Sequence, residues 1–249
     1  MSAPQPLPVR LCTWALVLVI LKVVLAIVWT SRAYFRPRFQ SEFLLGREET
    51  FFGSYQWAFY PHFICGPSTL LLGLLLLNNR FRSSFPVWHR LLGRAQVLLV
   101  LGGVVVGGFW ISFYSRTGPS GIASFVVLAI LTGTCVVNGW RAAGQQRFGD
   151  HQRWMERTFV LPSSAVVLRL IAGTATLVNF GPDWFDPLAS WVSWSVPLAI
   201  YELWTRSKPN WVGSTFRPLR LTNRPGIFPD PLWSAGRGDH PATAGPTEA

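Results

Sequence analysis

Residues 121–140 read GIASFVVLAILTGTCVVNGW, a stretch without a charged side chain, and Arg141 follows at once. About 20 helical residues cover the ~30 Å hydrocarbon core of a bilayer. Lipid offers no hydrogen bonds, so the backbone of a spanning segment must satisfy itself, as a helix or a closed barrel. The run is continuously apolar rather than alternating, which selects the helix.

Comparable runs lie at roughly 11–30, 54–78, 95–113, 158–178 and 187–204. The expected fold is therefore all-α, a multi-pass transmembrane bundle of about six spans. Only 13% of the chain is charged and half is apolar, against about a quarter charged in soluble domains. Leu11–Thr30 follows Arg10 as a signal-peptide core would. It exceeds the usual 7–15 residues of such a core, and the segment after it is a poor cleavage site, so it reads as the first span. The sixth span is the weakest, being short and interrupted by Pro197. The third and fifth helices are expected to start before their apolar cores. Ser84 and Pro86 signal one start, and Gly149-Asp150, with Asp150 as candidate N-cap, the other. Trp29, Trp57, Trp110, Trp140, Trp184 and Trp204 fall near span ends, as interfacial aromatics do.

Basic residues set the expected orientation. Arg80, Arg82, Arg90 and Arg94 follow the second span, and Arg141, Arg147, Arg153 and Arg157 follow the fourth. The loop after the third carries only Arg116, and that after the fifth carries none. The basic loops belong in the cytoplasm, with both termini inside and the protein in the cell (inner) membrane. The first outer loop is a mild exception, its arginines offset in part by Glu42, Glu48 and Glu49. The organisation is then a cytoplasmic N-terminus (1–10), a bundle (11–204) and a basic Pro/Gly-rich cytoplasmic tail (205–249) expected to be disordered. The net charge of +11 is concentrated in short loops between spans. It suits the lipid bilayer as partner rather than nucleic acid.

The three cysteines, Cys12, Cys65 and Cys135, lie in apolar segments without short spacing and read as small apolar residues. No H-E-x-x-H, G-x-S-x-G or Gly-rich phosphate loop occurs, and Glu202 is the lone acid within a span. Hydrolase and NTPase chemistry has no foothold.

Two groups of residues remain as candidates. His89 lies just inside the third helix and His151 just inside the fifth, at similar depth. If those helices are neighbours, the two imidazoles form the axial set of a b-type haem, with His89 and His151 as metal ligands. Arg90, Arg94, Arg153 and Arg157 then suit its propionates. The plainer alternative is a pair of solvated interfacial histidines with arginines on lipid phosphate. Met155, on the His151 face, is either an alternative axial ligand or packing. Deeper in the bundle, Lys22, His62 and Arg169 fall near one level, where charge is costly and by default faces the interior or a wet cavity. Two cations and a histidine there suit a quinone, a propionate or a small anion. Snorkelling is the alternative for Lys22, and helix locking through backbone carbonyls for Arg169. Gly103-x-x-x-Gly107 marks a close helix approach. Gly66, Thr69 and Gly73 share a face with His62.

These strings resemble a known family. His62, the run Phe85-Pro-Val-Trp-His-Arg-Leu-Leu-Gly-Arg94, the run Asp150-His-Gln-Arg-Trp-Met-Glu-Arg157 and Leu168-Arg169-Leu170 resemble the bacterial predicted membrane proteins grouped as domain of unknown function 2306, over about residues 54–180. The resemblance places characteristic positions at His62, His89, Arg90, Gly93, Arg94, His151, Trp154, Met155, Arg157 and Arg169, and implies no activity. The four-helix core is similar by analogy to transmembrane b-type cytochromes. His62 has no histidine partner in the fourth span, which limits the analogy to one bis-histidine site. The function expected is a haem-binding or quinone-interacting redox membrane protein. The alternatives are a non-redox carrier or sensor for an anionic ligand, or an assembly factor.

Overall fold

The computed structural model describes residues 7–30, 32–35, 39, 44 and 46–207. Six long helices carry the chain: α1 (Leu7–Thr30), α2 (Glu48–Leu76), α3 (Pro86–Ser112), α4 (Gly118–Gly144), α5 (Phe148–Leu177) and α6 (Phe185–Arg206). The described residues contain no strand. The first five helices are long and apolar enough to cross a membrane. The sixth is less apolar, holds Pro197 and ends on Arg206. The expected tail beyond residue 207 lies outside the described residues, as do residues 1–6 and the side chain of Cys12.

Each irregularity has a local cause. Phe51–Tyr55 and Leu99–Val106 are π-helical stretches, in α2 and α3 respectively. Both contain glycine, and the second is otherwise rich in β-branched residues, which hold an α-helix least well. In α5, residues 161–163 leave the regular helix because Pro162 has no N–H for the carbonyl four residues back. The turn after α2 folds into a short helix, Asn79–Ser84, that the apolar pattern does not anticipate. The Asn78 side chain caps it, accepting from the Arg80 and Phe81 amides at 2.9 and 3.4 Å.

The turn between α4 and α5 is tighter. Gln146 adopts φ 58°, and the Gln146 and Arg147 amides return to the Ala143 and Ala142 carbonyls at 3.0 and 2.9 Å. This is a Schellman closure, which reverses the chain within a few residues. Arg147, not Asp150, then stands at the N-cap of α5. Asp150 lies in the first turn, paired with Arg147 at 2.7 Å. The expected cap is corrected: the tight turn starts the helix earlier, and the carboxylate answers a guanidinium instead of an amide.

Packing arranges α2, α3, α4 and α5 as a ring. Seams join α2 to α3, α3 to α4 and α4 to α5. The ring closes where Phe159 of α5 lies against Gly73 of α2, beside a cluster of Ile20, Val24, Leu70 and Val166 that brings in α1. Helix α6 lies along α4 and α5, with Trp194 donating to Ser124 at 3.0 Å. Helices α3 and α5 therefore oppose each other across the ring and share no packed seam among the described residues. At the end opposite the arginine-rich turns, Tyr34, Leu44, Phe51, Tyr55 and Phe59 form a second buried cluster. Arg47 clamps it, with its guanidinium on the Tyr114 carbonyl at 2.6 Å and over the Tyr55 ring at 4.7 Å. The six span-end tryptophans are all exposed, as a lipid interface requires.

Candidate functional site

His89 and His151 occupy the same position in their helices. The His89 amide donates to the Phe85 carbonyl and the His151 amide to the Arg147 carbonyl, each at 2.9 Å. Each is thus the first residue whose amide is bonded within its own helix. Both are partly buried at the arginine-rich end. They lie in electrostatic reach of each other, and His89 also of Arg82 and Arg90.

The two rings are held differently. His151 Nδ1 lies 2.8 Å from the Gly139 carbonyl of α4. A carbonyl only accepts, so Nδ1 carries a proton and donates it. Gly139 makes this reach feasible. A Cβ there would stand 2.8 Å from Met155 Sδ and 3.3 Å from Trp154 Cβ, so its absence lets α5 close onto α4. Met155 accordingly sits in the α4–α5 seam. His89 Nδ1 is buried and has no hydrogen-bond partner among the described residues.

The surrounding arginines are distributed unequally. Arg94 is exposed and about 140° round α3 from His89 at 100° per residue. Arg157 forks onto Glu202 of α6 at 2.5 and 3.1 Å, with the Trp154 ring 4.9 Å from its guanidinium carbon. Its side chain and that of Glu202 are only 22% and 28% exposed. The guanidinium expected to meet a propionate already has a carboxylate. Beside it, Tyr201 donates to Glu156 at 2.8 Å, and Gln152 donates to the other Glu156 oxygen at 2.8 Å. The sequence signal for this network was Glu202 itself, the lone acid in a span at the depth of Arg157.

The deeper group is brought together in part. His62 Nδ1 donates to the Val104 carbonyl at 3.1 Å, inside the π-helical stretch of α3. The ring fits because Gly107 and Gly108 lack side chains. A Cβ on Gly107 would stand 2.9 Å from His62 Cβ, and one on Gly108 2.9 Å from His62 Cε1. Gly103 does the same against Cys65 and Pro61, so the G-x-x-x-G pattern is the α2–α3 seam. Arg169 donates to the Ala165 carbonyl of its own helix at 3.0 Å and lies in electrostatic reach of His62. Lys22 does not join them. It is exposed and about 160° round α1 from Ile20 and Val24, the residues that pack on the bundle.

Sequence reasoning passed over Gln96. It lies seven residues after His89, on the same face of α3, and is 4% exposed. Its Nε2 donates to the Thr69 carbonyl of α2 at 3.0 Å, while its Oε1 is buried without a partner among the described residues. The available signal was an amide within a membrane-length helix. No group of three or more His, Cys, Asp or Glu side chains forms a metal cage among the described residues.

No curated protein matches the chain, and no solved structure does. A family model described as "Predicted membrane protein (DUF2306)" matches residues 59–205. These residues take in His89, His151, Gln96, and His62 with Arg169. The chain belongs to this family of predicted membrane proteins of unknown function, DUF2306.

Proposed function

We propose that the protein is a redox membrane protein binding one b-type haem at its arginine-rich, cytoplasmic end, with His89 and His151 as the axial pair. The observation that carries this reading is the state of the two rings. His151 donates Nδ1–H to a backbone carbonyl, the arrangement that fixes a metal-ligating imidazole and leaves Nε2 free. On the opposed helix and in electrostatic reach of His151, His89 has a buried ring nitrogen without a partner among the described residues. Two imidazoles alone make a poor site for a bare metal ion. They would suffice for an iron that arrived held in a macrocycle, which His89 and His151 would then hold. Such a group, when bound, transfers single electrons. The protein orients the axial rings, excludes lipid and places guanidiniums nearby. Arg90, in electrostatic reach of His89, suits the propionates better than Arg157, which is committed to Glu202. Arg94 remains exposed at the same end.

The same reading gives His62 and Arg169 the role of receiving a quinone or a small anion in the outer half. His62 has its Nδ1 proton tied to a carbonyl, and no described acidic residue lies at its depth. A second reading, a non-redox carrier or sensor, uses that site alone. An assembly factor uses neither site.

Absorption spectroscopy separates them. Protein purified from haem-replete cells is expected to show a sharp Soret band and, on reduction, an α band, both lost in His151→Ala. A folded but colourless protein removes the haem. Stabilisation by a quinone analogue or a small anion, abolished by Arg169→Ala, then favours the second reading.

A further inference from the structure

Two side-chain atoms are buried without a hydrogen-bond partner among the described residues, His89 Nδ1 and Gln96 Oε1. Both belong to one face of α3, separated by seven residues, about 10 Å along the axis. The Gln96 amide cannot turn freely, because its Nε2 is anchored on the Thr69 carbonyl. A buried carbonyl oxygen with no donor costs on the order of a hydrogen bond, and in native proteins water usually meets it.

Open space adjoins this line at Gly66. Gly66 lies on the face of α2 that also carries His62, Thr69 and Gly73. Thr69 and Gly73 are buried, and Gly66 is partly buried. A Cβ placed on Gly66 would nevertheless meet nothing within 4 Å. That space lies one helical turn from His62, on the side toward Gln96. Thr69 also brings its hydroxyl to the Gly66 carbonyl at 2.8 Å. His89, Gln96 with Thr69, the space at Gly66 and His62 thus follow one another from the arginine-rich end into the bundle.

We propose that a thread of water along this line gives His62 proton access from the cytoplasm, with Gln96 as its midpoint. A proton taken from cytoplasmic water passes along the thread to His62 Nε2. The ring becomes an imidazolium, with Nδ1–H still on the Val104 carbonyl. The proton is then available to a ligand held beside Arg169. No electron or co-reactant is required. The thread ends at His62, so it supplies protons from one side and is not a leak. It requires the membrane orientation proposed above but no haem, and the spectroscopic test leaves it untouched.

Water-edited solid-state NMR tests it, on the isotope-labelled full-length protein in lipid bilayers. Magnetisation from water is expected to reach the Gln96 amide and the His62 imidazole several-fold faster than the methyls of Leu161, which is 0% exposed and packed with Cys135 and Trp194 away from this line. Gly66→Leu, whose Cβ enters open space, is expected to slow the transfer to His62 to the Leu161 rate. It should leave His151 unchanged. Wild-type transfer to Gln96 and His62 as slow as to Leu161 overturns the proposal. So does rapid transfer to His62 that survives Gly66→Leu. The wild-type measurement decides by itself if the variant does not fold.

Discussion

Glu202 and Arg157 show how much one residue carries when lipid is the solvent. Their fork joins α6 to α5 in a partly buried setting, where charge-assisted hydrogen bonds are worth more than in water. Glu202→Gln is expected to lower stability by about 1–3 kcal/mol, read as a fall in unfolding temperature in detergent. Replacing both partners with apolar residues of similar size should recover part of the loss, because no unpaired charge is then left. A double variant as unstable as the worse single one would contradict this. The charges themselves were legible, since an arginine or a lone acid in an apolar run stands out. Their partners were not. Arg157 was read as a propionate ligand because pairing depends on helix order, which periodicity does not encode. The ring tautomers of His62 and His151 were hidden for the same reason, being set by carbonyls on other helices.

At the scale of the element, the glycines separate into close contacts and open positions. A methyl at Gly107 meets the Ala58 carbonyl at 2.9 Å and the His62 amide at 3.2 Å, and neither can move without shifting a helix. Gly107→Ala is expected to cost about 1–3 kcal/mol. At Gly139 the nearest atom is the flexible Met155 sulfur, so Gly139→Ala should cost less. At Gly66 nothing is near, and alanine should be neutral or stabilise by up to about 1 kcal/mol through helix propensity. Thermal unfolding of the three variants checks the order, and Gly66→Ala proving the worst would refute the packing described. The apolar runs revealed all six helices, and Pro86 revealed the early start of α3. The early start of α5 was also expected, though at Asp150 rather than Arg147, and the capped helix Asn79–Ser84 was missed, because Asn78 and Arg147 act through side-chain and turn geometry that hydropathy does not register.

At the scale of the molecule, the arginine-rich turns after α2 and α4 and the end of α6 lie together, and the proposed orientation puts them in the cytoplasm. In a background without native cysteines, Ser83→Cys should react with an impermeant thiol reagent only after cells are opened. Asp183→Cys, at the other end, should react on intact cells. The reverse pattern would invert every depth assigned above. The ring order itself was not legible. Spacing put His89 and His151 at one depth but made their meeting conditional on α3 and α5 being neighbours. Instead the two helices stand opposed, with His89 and His151 in electrostatic reach of each other. The most direct test of that arrangement is electron paramagnetic resonance of the ferric, haem-replete protein. Wild type should give a low-spin bis-imidazole signal that is lost in both His89→Ala and His151→Ala. A colourless protein, or a low-spin signal unchanged in either variant, would contradict the account.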